Sequence, residues 1–356
     1  MPITKKGWEQ SLMMSLFKKE ATFDAGVTMS DANACSMRGY EMESEWDDEV
    51  VNDKDSVTGL EFGTDQEIMH QGVKIPYKEP RAKPNSLAGL AALVMGSITS
   101  TQDGALAAYK HKITPVAVGT ALNSIQIEHK KGGVQYAYKG IKGNSLKIAG
   151  EAGGFVSLEA ELIGSGTRVT SATAFASVIS EAWMKLTNCK VWMESGANIA
   201  IDAVLVQDVE NISSATPDDI KARIKSFEWT YNNNGERQYG FGSGTAGAND
   251  FDFGRRTVDL KFSLLFNDAT EMNYFVNQDP IAIEFDLKGA LIAATGTMYF
   301  GCQLIVPKFK LKSAPLPKGG VGDILVADFD CDVQSDGVNA ISIIEVYNAK
   351  AAYLAA

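Results

Sequence analysis

The sequence predicts a mainly β fold, a β-sandwich or barrel carrying short helices, on three observations. From about residue 105 onward apolar and polar residues alternate with period two, the signature of half-buried strands. The same order of strand, hairpin, strand and helix returns after a shift of 102 residues. No apolar run reaches the roughly eighteen residues of a membrane helix, and no sustained heptad pattern marks a coiled coil.

The elements follow in chain order. Trp8, Leu12, Leu16 and Phe17 fall near helical spacing, which predicts one short amphipathic helix within an N-terminal arm, residues 1–37. That arm either packs on its own domain or reaches a neighbour. Residues 38–80 read as two strands around a charged loop, 41–66. Glu41, Glu43, Glu45, Asp47, Asp48, Glu49, Asp53 and Asp55 face a single lysine there, Lys54, and such a run prefers solvent. Ser86 is a plausible N-cap for a helix through Leu87, Leu90, Ala91 and Val94 that Gly96 can stop. Ile125 and Ile127 alternate with Gln126 and Glu128, and Gly132-Gly133 turns the chain onto a returning strand with Tyr136 and Tyr138. Val156, Leu158, Ala160 and Leu162 line one face of the clearest amphipathic strand, and Ser157, Glu159 and Glu161 line the other.

Leu122 to Gly140 then maps onto Ile224 to Gly242, with Asn233-Asn234-Gly235 as the second hairpin turn. Val156 to Leu162 maps onto Val258, Leu260, Phe262 and Leu264. Short helices through Phe175, Val178, Ile179 and through Met272, Phe275, Val276 follow, the latter with a capping box at Asp268 and Glu271. Strands near 186–194 and 280–288 come next. The expected organisation is therefore an arm, a first β domain over 38–218 and a second over 219–356.

Composition narrows the chemistry. The chain of 356 residues has 33 basic and 44 acidic residues, net −11, without the basic excess of a general nucleic-acid binder. No secretory signal is read at the N-terminus. Cys35, Cys189, Cys302 and Cys331 are scattered with no CxxC pair, and the three histidines, His70, His111 and His129, are dispersed. No metal, cofactor or catalytic constellation is expected. Gly240-x-Gly242-x-Gly244 leads into the strand-like Phe251 to Phe253, so it lacks the strand–turn–helix setting of a dinucleotide site. Asp328-x-Asp330-x-Asp332 opens like a calcium loop. Val333 occupies the position that needs glycine and Asn339 the one that needs a bidentate acid. The better reading is a strand. With Lys308, Lys310 and Lys312 alternating upstream, a fold about Gly319-Gly320 predicts a charge ladder pairing Lys310 with Asp330, Lys308 with Asp332 and Lys312 with Asp328.

Several short motifs carry a family resemblance. Lys19-Glu20-Ala21-Thr22-Phe23-Asp24-Ala25-Gly26 resembles the E-x-T-x-G opening of bacteriophage tail tube proteins of the siphovirus type. Asn33-Ala34 follows at a similar distance. Leu87 to Gly96 resembles the family's LL…LG helix, and Gln135 to Leu146 its Y-x-G-x-x-x-x-S-L strand pair, completed by Gly153 to Ala160. The resemblance covers most of residues 19–165. The Phe-Asp-Ala-Gly opening and the acidic 41–55 stretch depart from the pattern.

What it implies is a structural virion protein that breaks no bonds. Duplicated tail-tube-like domains would contribute strands to a ring-shaped inner β-barrel, with rings stacked into a hollow tube conducting double-stranded DNA into the host. Two similar units per chain favour a ring trimer over a hexamer. The resemblance further implies the tape measure protein and the tail terminator and tip proteins as partners, no membrane contact, synthesis in the host cytoplasm and a place in the virion tail. Lumen-facing candidates are Glu159, Glu161 and Asp259. Ring-stacking candidates are the arm and the acidic loop, including Glu41, Glu43, Glu45, Asp47, Asp48 and Glu49. The competing readings are a carbohydrate-binding module of a tail tip, the tube of a contractile injection system, and a hydrolase on a β scaffold. Trp8, Trp46, Trp183, Trp192 and Trp229 are too dispersed for an obvious glycan platform, and Trp229 shares a core strand face with Phe227.

Overall fold

The computed structural model of the protein describes residues 10–37, 39, 42–52, 66–196, 199–213, 218–240, 246–267, 270–293, 296–319 and 324–356. Its first third contains β1 (Gln10–Met14), β2 (Cys35–Met37), β3 (Glu45–Trp46), β4 (Glu49–Asn52), β5 (Gln66–His70), β6 (Val73–Glu79), α1 (Pro84–Met95), β7 (Gly96–Gln102) and β8 (Tyr109–Pro115). The middle adds β9 (Ile125–Lys131), β10 (Val134–Glu151), β11 (Ser157–Gly164), β12 (Arg168–Thr170), β13 (Cys189–Ser195), β14 (Ala200–Ile201), β15 (Ile212–Ser213) and β16 (Asp218–Asp219). The last third supplies β17 (Ile224–Asn232), β18 (Gly235–Gln238), β19 (Asp250–Phe253), β20 (Thr257–Leu265), α2 (Thr270–Asn277), β21 (Ile281–Leu291), β22 (Tyr299–Leu311), β23 (Pro317–Lys318), β24 (Val326–Val333) and β25 (Ile343–Asn348).

The protein is mainly β, and its strand pairing is antiparallel. One ladder runs β6–β11–β10–β17–β20–β24–β22–β25–β8–β7. The branches β10–β9–β1–β2 and β22–β21–β13 leave it without returning, so the pairings among the described residues form no closed barrel. Two long strands make the branching possible. The first half of β10 pairs with β9 and β12, and its second half with β11 and β17. The switch falls at Gly143, where an added Cβ would lie 2.5 Å from Val94 of α1, so only glycine lets strand and helix approach. β22 pairs with β25 up to Ile305 and with β21 up to Phe309 across a register shift, and its end, Phe309 to Leu311, pairs with β24. Pro307 sits between, at a position without a ladder donor.

The core lies between these sheets and holds α1. All twelve residues of α1 are buried, so it is a core helix with no solvent face. The expected span and the Gly96 stop hold: Gly96 takes φ 91° and returns its N–H to the Ala92 carbonyl. The cap differs from expectation. Pro84 occupies the first turn, Lys83 stands at the cap position but its side chain does not cap the helix, and Glu181 accepts the Asn85 N–H at 2.8 Å from outside the helix.

Three local expectations are corrected. Residues 10–14 form a strand between β2 and β9, with Leu12, Met13 and Met14 fully buried. Both faces of β1 are covered, and a short apolar run buried all round does not distinguish strand from helix by its spacing. Trp8 lies outside the described residues. Residues 171–184 contain no helix. They run irregularly along β2 and the start of α1, tied through Ser177 N–H to Asp31 at 2.6 Å and Met184 N–H to the Ala82 carbonyl. Asn233-Asn234-Gly235 does not close a hairpin, because β17 pairs with β10 and β20 while β18 pairs with β19. The equivalent Gly132-Gly133 turn does close β9 on β10, with both glycines at positive φ. α2 occupies the second expected helix. The Asp268 half of its capping box and the Glu271 side chain lie outside the described residues, as do Gly242 and Gly244. The strands expected near 186–194 and 280–288 are β13 and β21, and they pair with each other.

Candidate assembly surfaces

Strand alternation turns Leu146, Ile148, Leu158, Trp229, Leu260, Phe329 and their neighbours into the core, leaving one broad polar face on β6, β11, β10, β17, β20, β24 and the end of β22. Register aligns its side chains in rows. One row reads Lys78, Glu159, Lys147, Thr230, Asp259, Asp332 and Lys310 across seven strands. The next reads Ala149, Glu228, Lys261 and Asp330, with Lys312 beyond. Ion pairs run along the rows, Lys78–Glu159 at 3.3 Å and Lys312–Asp330 at 3.6 Å, and between them, Lys147–Glu228 at 2.7 Å and Lys312–Asp259 at 3.6 Å. Glu161 lies opposite Pro76 and Ser145. The three lumen candidates thus share one face.

The charge ladder is present in a register two residues from the expected one. Lys310 stands opposite Asp332, and the Lys312 N–H donates to the Asp330 carbonyl. Lys308 therefore faces Gln334, whose N–H donates to its carbonyl, and Asp328 pairs with Lys318 at 2.9 Å and with Ser263. The sequence sets the alternation of both strands, but the length of the connection sets the register, and Gly320 with residues 321–323 lies outside the described residues. The face is also less acidic than the whole chain. Glu151, Glu159, Glu161, Glu228, Asp259, Asp328, Asp330 and Asp332 are matched in number by Lys74, Lys78, Lys147, Lys261, Lys308, Lys310, Lys312 and Lys318. Exposed pairs of this kind stabilise by about 0.2–1 kcal/mol each, so the ladder governs the potential of the face more than its stability.

The acidic segment forms a second surface. β4 and β5 make a two-stranded ribbon with Val50, Val51, Ile68 and Met69 all at least 44% exposed. Such an apolar, unbacked ribbon is the kind of element that a partner covers. Its acids divide by role. Glu45 is exposed, and Glu43 bonds Lys131 at 2.6 Å. Asp47 bonds Arg237 at 2.6 Å and Lys74 at 3.2 Å. Asp48 is turned inward onto both terminal nitrogens of Arg168, whose guanidinium stacks 3.8 Å from the Trp46 ring. These cations hold the Asp47 and Asp48 carboxyls below the usual range. Glu49 bonds His70, which stacks on Tyr239 at 3.9 Å. The hairpin base is thus clamped to β12 and to β18. Arg168, Arg237 and Tyr239 had no signal in the sequence, because their partners lie 120 or more residues away. Glu41 and residues 53–65 lie outside the described residues.

The opening motif has a structural meaning. Glu20 is 4% exposed, and its carboxylate accepts backbone N–H groups from Asp24 (3.2 Å), Gly26 (3.0 Å) and Gly140 (3.1 Å). Gly26 takes φ 81°, and an added Cβ would come within 2.9 Å of Gln126. Asp24 accepts the hydroxyls of Ser165 and Thr167 at 2.9 and 2.7 Å. In this chain the glutamate and glycine of the motif together tie the N-terminal segment onto the bend of β10.

Among the described residues no cluster of three or more His, Cys, Asp or Glu side chains could hold a metal ion. His111 is fully buried between Ser100 and Asn348, and His129 is buried beside Ser44. Burial pushes the Cys35 thiol up to about 11 and the Cys302 and Cys331 thiols up as well, away from nucleophilic thiolates. No curated protein matches the chain. A family model described as phage tail tube protein matches residues 79–333, from the end of β6 through α1 to the end of β24. That match spans well over half of the chain and the whole of its polar ladder from β10 to β24, so this chain belongs to the phage tail tube proteins, a family of structural tail components and not a class of enzyme.

Proposed function

We propose that copies of this chain close into rings, that the rings stack into the tail tube, and that the polar face of β6, β11, β10, β17, β20 and β24 lines the bore through which DNA leaves the virion. The observation that carries this reading is that face itself: a broad, open row of strands, polar over its whole width, in a tail tube family member. Two similar β units per chain favour three copies around the ring. The β4–β5 ribbon, with its exposed valines and Met69, is the stacking contact. The tape measure protein inside and the terminator and tip proteins at the ends are the expected partners, and the virion tail is the expected location after assembly in the host cytoplasm.

The wall would work by charge compensation. DNA carries one negative charge per about 1.7 Å of axis and sticks to uncompensated cations. Here the two main rows mix lysines with carboxylates, and opposite charges a few ångströms apart compensate one another within the roughly 8 Å screening distance of physiological salt. Glu159 and Glu161 are the test. Glu159→Lys with Glu161→Lys leaves Lys78 without its carboxylate and adds two cations beside it, so tubes should form and ejection should slow, with recovery at higher salt. Normal tubes with unchanged ejection at low salt would remove these residues from the bore. Electron microscopy of the purified chain tests the larger claim: rings or hollow tubes support it, and a strict monomer under all assembly conditions ends it.

A further inference from the structure

The outer side of β21, β22 and β25 carries buried acids that the tube reading does not use. Asp286, Gln303 and Glu345 stand opposite one another on the three strands, with Glu284 one step along β21. All four are at most 1% exposed. What covers them is a short ribbon, β14 and β15, with its connecting residues 202–211 laid over the strands. The hold of those residues is mainly polar. The Asn211 N–H and side-chain amide donate to Glu284 at 2.9 and 2.6 Å, and the Asp208 N–H donates to Asp286. Gln303 donates to the Val206 carbonyl at 2.8 Å. Leu205 is the buried apolar side chain of the connection, while Val204, Val206 and Val209 are all more than half exposed.

We propose that residues 202–211 are a proton-operated strap: closed over Glu284 and Asp286 while at least one of them carries a proton, and released when both ionise. Charge around the strap favours this. Asp202, Asp208 and Glu210 lie on it, Glu194 on β13, and Glu345 on β25 beside the Tyr347 hydroxyl. Against them stand Lys190 and Lys288, which both bond Asp208, and Lys110 and Lys112 on β8 near Glu345. The lysines bond the rim and leave one oxygen of Asp286 buried without a partner. Burial accordingly pushes the Glu284 carboxyl up to about 8 and that of Asp286 up to about 6, and raises Glu345. Opening returns these groups to water and releases their protons, so it is favoured as pH rises through that window.

Hydrogen–deuterium exchange of the full chain, corrected for the intrinsic pH dependence, reads the strap directly. Protection of amides 205–211 should fall between about pH 6 and about pH 9, by up to about tenfold per pH unit for each proton released, while the β10 and β17 amides stay protected. Glu284→Gln should flatten that dependence. Asp208→Asn, which breaks the rim ion pairs and removes a negative charge beside Asp286, should lower protection and shift, but not abolish, the pH dependence. Protection independent of pH in the native chain, or an equal slope in Glu284→Gln, overturns the proposal. Should the glutamine variant misfold, carboxyl NMR of the native protein decides instead: a Glu284 that titrates in the ordinary carboxylate range overturns it.

Discussion

At the residue scale, single polar side chains fix segments that no regular element holds. Glu20 is the clearest, one carboxylate gathering three backbone amides from two parts of the chain. Glu20→Ala leaves those amides without their acceptor in a buried site. The expected loss is about 2–4 kcal/mol in chemical unfolding, with Glu20→Gln recovering part of it. An alanine variant as stable as the parent would show that water replaces the carboxylate at no cost. Glu181 is a related device, supplying from residues 171–184 the cap that Lys83 cannot give α1. Neither role was legible in the sequence. The glutamate of the opening motif was visible as a pattern, but its partner Gly140 is 120 residues away.

At the element scale, the two-stranded β4–β5 ribbon combines exposed apolar residues with a firmly clamped base. Val50→Asp combined with Met69→Asp should change the stability of the chain by less than about 0.5 kcal/mol, since both side chains are already near half exposed. It should shorten or abolish tubes seen by microscopy. Tubes of normal length would take the ribbon out of the stacking contact. The acidity of this segment was plain from the sequence and was read as a stacking surface. The structure divides it: Asp47 and Asp48 bond arginines of the same chain, and Glu45 stays exposed. Composition reports the number of charges in a segment, whereas the direction of each depends on which strands meet it.

At the scale of the whole molecule, acids of opposite behaviour set the dependence of stability on pH. Asp47, Asp48 and Asp208 are held below the ordinary carboxylate range by arginine and lysine. Their contribution is present above about pH 4 and is lost as acid protonates them. Burial pushes Glu181 up to about 7, Asp286 to about 6 and Glu284 to about 8. The folded state then holds more protons than the unfolded one between the ordinary range and those values, so stability falls as pH rises across that interval. Burial holds the His111 and His129 imidazoles below their ordinary range, and they oppose this trend up to about pH 6.5. Thermal unfolding should therefore weaken by on the order of 2 kcal/mol from about neutral pH toward about pH 8.5, less than one full step of 1.4 kcal/mol per unit shift for every group because local opening relieves part of the cost. A stability that climbs steadily from mild acid to about pH 8.5 would contradict it.

By itself the sequence determined the mainly β class, the helix at Leu87 to Gly96, the Gly132-Gly133 hairpin, the alternating faces of β11, β20 and β24, and the tail tube family. The first four rest on local periodicity or on turn and cap chemistry, which neighbouring residues decide among themselves, and the family rests on short motifs in a common order. Only the tertiary structure decided that residues 10–14 form a core strand, that Lys310 faces Asp332, that the polar face balances its charges, and that Arg168 and Arg237 clamp the acidic hairpin. Those outcomes depend on register and on partners a hundred residues apart, and a strand buried on both faces or a ladder shifted by two residues has the same local pattern as its alternatives.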